Sequence, residues 1–104
     1  IKKEFFLKKA FNDSEIDMAV GRKKDSFLAG NFATKEAFVK ALGTGFRGVE
    51  LKDLAVLRDE LGKPFIKICN NLNRHLQGID ENKIHVSISN TDSLAIAMVV
   101  IETD

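Results

Sequence analysis

The sequence predicts an α+β domain in which an antiparallel sheet of about three strands packs against one long central helix. Two observations carry this prediction. Apolar residues recur at helical spacing through Ser26–Leu42, whereas polar and apolar residues alternate in Ile84–Ser89 as in a half-buried strand. At 104 residues the chain has the length of one domain, so we expect residues 1–104 to form a single unit.

The central helix has recognisable ends. Ser26 can cap its first turn, and Gly43 follows the last apolar residue, where a left-handed residue ends a helix. One predicted core face carries Leu28, Phe32, Val39 and Leu42, and a second stripe is made of the small residues Gly30, Ala33, Ala37 and Ala41. A helix that is apolar on most sides is buried or wrapped by other elements.

Shorter helices are predicted on either side. Ile1–Phe11 is typical of the end of an amphipathic helix, and Asn12 or Asp13 can cap a short helix that runs to about Val20. Residues 21–25 form a basic loop. Further on, Asn70 or Asn71 can cap another short helix that ends at Gln77, with a buried side formed by Leu72, Leu76 and Ile79.

Strand patterns occur at Leu54–Arg58 and Phe65–Ile68, which are joined by the turn Asp59–Pro64. Ile84–Ser89 is a half-buried strand. Ala95–Ile101 is apolar on both faces, which predicts the central strand of the sheet.

The composition points to neither a nucleic-acid nor a membrane partner. Sixteen basic residues face 15 acidic ones, so the net charge of +1 gives no argument for binding nucleic acid or a membrane. A single cysteine excludes an internal disulfide and fits the reducing cytoplasm. We expect no signal peptide, and the apolar run Leu94–Ile101 is too short to span a bilayer. We therefore expect a cytoplasmic protein.

Glu36 and Lys40 are the candidate chemical groups of the central helix. Their i,i+4 spacing allows a surface ion pair, worth roughly 0.2–0.5 kcal/mol. Alternatively, a carboxylate beside small residues and lysines can hold a divalent cation that carries phosphate, while Lys35 and Lys40 neutralise the phosphate oxygens. The residues alone leave both interpretations open.

Two other motifs are weaker. His85 and Ser87 share a strand face, but no acidic residue on that strand completes a triad, and a half-buried histidine donating to a backbone carbonyl is favoured. Gly43–Gly48 is rich in glycine but follows a helix and lacks the spacing of a P-loop.

Three ordered segments resemble the holo-[acyl-carrier-protein] synthases, the small bacterial 4′-phosphopantetheinyl transferases. They are FLAGNFATKEAFVKALGTG (Phe27–Gly45), DELGKPFI (Asp59–Ile66) and IHVSISN (Ile84–Asn90), the last followed by LAIAMVVIE. Phe11–Glu15 matches a weaker family segment. The resemblance covers most of the chain from Phe27 onward.

The resemblance implies a 4′-phosphopantetheinyl transferase fold and a magnesium-dependent reaction of fatty acid biosynthesis. The 4′-phosphopantetheine group of coenzyme A passes to a serine of apo acyl carrier protein, and adenosine 3′,5′-bisphosphate is released. The family enzyme is a homotrimer with active sites at subunit clefts. By resemblance, Glu36 is the metal ligand and, with Lys40, catalytic; the coenzyme A site includes Lys35, Lys40, Lys63, Pro64, Asn90 and Thr91.

The sequence departs from the family pattern at three places. The family opens with a strand whose Asp is the other magnesium ligand, and the given residues contain no such segment. We expect that the given sequence lacks its N-terminal strand; the alternative is a protein that does not hold magnesium in the usual way. Asn31 and Asn90 stand where the family has Arg and His, which predicts a weaker or different hold on the coenzyme A 3′-phosphate. Two alternatives are a catalytically inactive module that binds nucleotide or carrier protein, and a structural trimerisation domain of a larger synthase.

Overall fold

The computed structural model describes residues 2–103, with side chains from residue 6 onward. Three α-helices precede four strands in the chain. The helices are α1 (Lys2–Ala10), α2 (Asp13–Met18) and α3 (Lys24–Leu42), and the strands are β1 (Leu54–Arg58), β2 (Pro64–Ile68), β3 (Ile84–Asn90) and β4 (Ala95–Ile101). Short 3₁₀ turns cover Gly21–Lys23, Leu51–Asp53 and Glu81–Lys83. Within residues 2–103, no helix combines the length and the apolar character needed to cross a membrane.

The long helix α3 begins two residues earlier than Ser26, because the 3₁₀ turn Gly21–Lys23 leads straight into it. Ser26 therefore lies inside the first turn and is not the cap. The predicted end is confirmed: the helix stops at Leu42, and Gly43 has a φ of 89°. The Gly43 amide donates to the carbonyls of Val39 and Lys40, both at 3.1 Å.

Helix α3 is the centre of the packing. Leu28 and Val39 are buried as predicted, whereas Phe38, which the spacing placed outside the core face, is also fully buried. Gly30 lets strand β3 come close, because a Cβ atom at this position would lie 3.0 Å from Cγ2 of Ile88. Part of the predicted stripe of small residues thus serves helix–sheet contact.

The strands form two antiparallel hairpins, β1–β2 and β3–β4, each a two-stranded sheet. The registers pair Val56 with Ile66 and Ser87 with Met98. The α+β class is confirmed, but the strand count of about three is corrected to four. Alternation of residues reveals strands, yet it does not say which strands pair.

Strand β4 is not the central strand of a larger sheet; it is one of the two strands of its hairpin. Its residues alternate between partly buried positions on the side of α3 and exposed positions on the other side. The outward residues Ile96, Met98 and Val100, and Leu94 just before the strand, are each at least half exposed. The strand is apolar on both faces, but the described residues cover only one of them.

The helix predicted to end at Gln77 is absent, and residues 69–80 form turns. The side-chain oxygens of Asn70 and Asn73 accept hydrogen bonds from the backbone amides of Leu72 and His75, at 3.2 and 2.9 Å. Such local bonds compete with helix formation. Leu76 is buried as predicted, and Ile79 packs against the core, but Leu72 is 88% exposed.

Candidate functional site

Glu36 and Lys40 lie on the solvent-facing side of helix α3. Their side chains are 50% and 73% exposed, and their charged atoms are 3.8 Å apart. This distance is longer than a hydrogen bond, so the ion pair leaves the carboxylate free to accept other partners. Ala29 is exposed and Ala33 and Ala37 are partly exposed, so no bulky side chain of α3 crowds Glu36. The geometry is compatible with both sequence-based interpretations.

Lys35, one residue before Glu36, is directed into the protein and is 0% exposed. Its ammonium donates to Glu15 Oε1 at 2.7 Å and to the carbonyls of Ala10 and Leu51, each at 2.8 Å. All three ammonium hydrogens have protein acceptors, so Lys35 has none left for a phosphate. The structure does not bring Lys35 to the surface that carries Glu36.

The partner of Lys35 is the buried carboxylate of Glu15, which accepts four hydrogen bonds. Oε1 receives the amide of Asn12 and the Lys35 ammonium; Oε2 receives Asn31 Nδ2 at 3.0 Å and the amide of Val56 at 3.2 Å. The sequence showed Glu15 only as a first-turn residue of α2. No pattern on that short helix predicts that the side chain crosses the core.

Asn31 belongs to the same buried network. Its amide also donates to the carbonyl of Val56 at 2.8 Å, and the side chain is fully buried. Asn31, which the resemblance placed at the coenzyme A phosphates, therefore makes an internal polar contact. Burial lowers the pKa of Lys35 below its ordinary value, and the charge of Glu15 opposes this effect.

Asn90 and Thr91 lie at the other end of α3. Asn90 Nδ2 donates to the carbonyl of Ser26 at 3.2 Å, and the Thr91 amide donates to the carbonyl of Leu94 at 2.7 Å. Both residues line a cavity of about 1010 Å³. Its charged lining residues are Arg22, Lys23, Arg58, Asp25 and Asp92.

Lys63 and Pro64 are close to the same cavity. Gly62, which precedes Lys63, is one of the lining residues. The Lys63 side chain is exposed, while its amide donates to Asp59 Oδ1 at 2.9 Å, and Pro64 begins β2. Lys63 and Pro64 thus group with Asn90 and Thr91 at this end of the molecule.

Within one copy of the chain, Glu36 and Lys40 lie apart from this cavity. Glu36 follows Ser26 by ten residues on α3, which corresponds to about 15 Å along a helix axis. The candidate residues therefore fall into two groups, which we call the Glu36 face (Glu36 and Lys40) and the Asn90 cavity (Asn90, Thr91, Lys63 and Pro64).

The chemistry of the Glu36 face suits a magnesium ion only in part. Among the side chains that the structure describes, from residue 6 to residue 103, no three His, Cys, Asp or Glu residues cluster as a metal site. Magnesium, however, is commonly held by one or two carboxylates together with phosphate oxygens and water. The accessible Glu36 carboxylate can supply one such ligand.

His85 differs from its prediction. It is exposed on strand β3, and its Nε2 contacts the carboxylate of Glu102, which follows β4. The prediction of a half-buried histidine that donates to a backbone carbonyl is therefore wrong. Strand pairing, not spacing along the chain, brings this acidic residue to His85.

Comparison with known proteins identifies the family. The family model described as the 4′-phosphopantetheinyl transferase superfamily matches residues 1–99. The chain belongs to this superfamily. The transferase is 47% identical over 102 residues to the holo-[acyl-carrier-protein] synthase of Clostridium perfringens strain SM101, an alignment that covers 93% of this chain and 77% of the relative.

Solved structures agree with the fold of the transferase. It resembles the holo-[acyl-carrier-protein] synthase of Neisseria meningitidis with a TM-score of 0.82 and 34% identity, covering 98% of this chain and 86% of that chain. The Helicobacter pylori synthase, solved in complex with coenzyme A, gives a TM-score of 0.81 and 30% identity, with 97% and 84% covered. The predicted fold and the assignment as an enzyme of this type are confirmed.

Proposed function

We propose that this enzyme transfers the 4′-phosphopantetheine group of coenzyme A to a serine of apo acyl carrier protein, with magnesium, and releases adenosine 3′,5′-bisphosphate. The observation that carries this proposal is the contrast on α3 between adjacent residues. The Lys35 ammonium donates all three of its hydrogens to acceptors inside the protein, whereas Glu36 and Lys40 present accessible charges to solvent. Family membership and the coenzyme A complex of the Helicobacter pylori relative support the substrate.

The proposed reaction is a phosphoryl transfer that breaks one P–O bond and forms another. The serine oxygen attacks the β-phosphorus, the bond to the adenosine 3′,5′-bisphosphate leaving group breaks, and the serine proton is lost to solvent. Such reactions need mainly positioning and neutralisation of charge. Lys40 would neutralise phosphate oxygens as a point charge, and Glu36 would hold the ion. When bound, magnesium supplies further charge neutralisation and acidifies the attacking hydroxyl.

The Asn90 cavity is the proposed site for the nucleotide part of coenzyme A. It combines the cationic side chains of Arg22, Lys23 and Arg58 with the polar groups of Asn90 and Thr91. Lys63 and Pro64 border it. This cavity and Glu36 lie apart within one copy of the chain. We therefore propose that the Glu36 face of one subunit meets the Asn90 cavity of another.

The outer face of β4 is the proposed contact between subunits. An exposed apolar row is formed by Leu94, which precedes the strand, and by Ile96, Met98 and Val100. Among the described residues, β3 is the one strand that pairs with β4. Contiguous exposed apolar side chains commonly mark an interaction surface. A second copy of this chain is the occupant we propose, because self-association would both cover this row and complete the divided site. The expected assembly is a homotrimer.

Replacing Met98 by Glu should dissociate the assembly and abolish transfer. A charge buried in an apolar contact without a partner weakens association, here by at least about tenfold. Analytical ultracentrifugation and a transfer assay on the same sample check this prediction. The control is Leu61→Glu at the tip of the β1–β2 turn, where the leucine is 95% exposed. An assembled and active Met98→Glu variant would contradict the proposed interface.

Replacing Lys40 by Met should lower kcat/KM for coenzyme A about 10- to 100-fold, because one charge-assisted contact is worth about 1.5–3 kcal/mol. Folding should be unaffected, since the side chain is largely exposed. Lys67→Met on β2 removes the same charge elsewhere on the surface and serves as the control. Equal kinetic constants for the two variants would remove Lys40 from the proposed site.

The mass of the carrier protein tests the function itself. Apo acyl carrier protein is incubated with this enzyme, coenzyme A and magnesium, and its intact mass is measured. We expect the addition of one phosphopantetheine group and release of an equal amount of adenosine 3′,5′-bisphosphate. An unchanged mass at every magnesium concentration would instead indicate an inactive binding module.

A further inference from the structure

Glu15 and Lys35 form a buried ion pair where several elements meet. The three acceptors of the Lys35 ammonium lie on different segments: Ala10 ends α1, Glu15 belongs to α2, and Leu51 begins a 3₁₀ turn. The ring of Phe11 lies 5.1 Å from the same ammonium. Lys35 therefore ties α3 to three separate parts of the chain.

The carboxylate of Glu15 makes a second contact with α3 and adds strand β1 to the network. It binds Asn31, one turn earlier on α3, and the amide of Val56 on β1. Each carboxylate oxygen receives two donors, and only a group without hydrogen of its own can accept from all four. The network thus requires a carboxylate at position 15.

The direction of Lys35 determines the direction of Glu36. Successive residues of an α-helix are offset by about 100° around its axis. Rotating or sliding α3 enough to redirect Glu36 would break the bonds of Lys35, which measure 2.7–2.8 Å. In a buried site such broken bonds are costly, because no water replaces them.

An apolar pair could fill the same space. Buried ion pairs are often replaceable by apolar residues without loss of stability, so stability alone does not explain this network. Apolar packing, however, tolerates small rotations that three short hydrogen bonds do not. What the ion pair adds is a fixed orientation of the helix.

We propose that Glu15 and Lys35 are positioning residues for the Glu36 face: the buried pair sets the rotation of α3 and so orients the Glu36 carboxylate for its cation. This inference rests on the function proposed above. Lys35 lies inside the protein and does not face the cation site. Replacing it by a neutral residue should therefore change cation binding only by changing the orientation of α3.

The test measures binding of Mn²⁺, as a probe for Mg²⁺, in the presence of coenzyme A and without carrier protein, by water-proton relaxation. Circular dichroism gives the folded fraction, and the affinity is expressed per folded molecule. We expect Lys35→Met to bind Mn²⁺ about tenfold more weakly, as is typical when a group that orients a metal ligand is lost. In the transfer assay, two quantities are compared with those of the wild-type protein. The Mg²⁺ concentration needed for half-maximal transfer should increase by a larger factor than turnover at saturating Mg²⁺ decreases.

A second variant keeps the test decisive if Lys35→Met folds poorly. Asn31→Ala preserves the ion pair and removes the two hydrogen bonds that Asn31 donates, to Glu15 and to the carbonyl of Val56, so we expect a smaller loss of Mn²⁺ affinity in a largely folded protein. Wild-type affinity per folded molecule in both variants would show a purely structural pair and overturn the inference. A wild-type protein that binds no Mn²⁺ with coenzyme A would instead overturn the proposed function.

Discussion

Glu36→Gln is expected to reduce transfer by roughly 10²–10³-fold, the range seen when one preorganised electrostatic group is removed from an active site. The change keeps the volume of the side chain and removes its charge. Because the Glu36 side chain is half exposed, the free energy of unfolding should change by no more than about 0.5 kcal/mol. Steady-state turnover and a urea denaturation curve check the two parts of this prediction.

Glu60→Gln is the matched control, because Glu60 is exposed in the β1–β2 turn and loses the same charge. It should retain full turnover. An unfolded Glu36→Gln protein would show that Glu36 is structural, and an active one would remove it from the mechanism.

Glu15→Gln is expected to lower the free energy of unfolding by about 3–5 kcal/mol, as when one partner of a buried ion pair is lost. Either orientation of the glutamine amide turns its NH₂ group toward two donors, the Asn12 amide with Lys35 or Asn31 with the Val56 amide. Chemical denaturation monitored by circular dichroism measures this loss. The Glu60→Gln variant again provides the comparison, and a Glu15→Gln protein of equal stability would contradict the described network.

Much of the fold was predictable because its signals are local. The C-terminal end of α3 follows from Gly43, and the β3 strand follows from alternation. The segment 69–80 was not predictable, because Asn73 uses its side chain to bind Gly48 and Asp53, which are distant in the sequence. These long-range bonds override the helical pattern.

The candidate site was predictable only in part for a similar reason. The sequence shows Lys35, Glu36 and Lys40 as three charges on one helix, and spacing does not reveal which of them faces inward. The direction of Lys35 depends on Glu15, 20 residues earlier, and on carbonyls of Ala10 and Leu51. Only the tertiary structure separates the buried lysine from the accessible one.

The exposed row on β4 shows another limit of a pattern. A strand that is apolar on both faces indicates that both faces are covered, but not by which chain. Within one copy, α3 covers the inner face, and Met98 and its neighbours stay exposed. The prediction of a central strand assumed that this chain itself covers both faces, and its described residues cover only one.

Electron paramagnetic resonance of Mn²⁺ with coenzyme A tests most directly whether the Glu36 carboxylate holds the cation. The wild-type protein and Glu36→Gln are titrated side by side, without carrier protein, so that binding is measured apart from turnover. We expect saturable Mn²⁺ binding by the wild-type protein and at least about tenfold weaker binding by the variant. Equal affinities would contradict the assignment of Glu36 as the metal ligand.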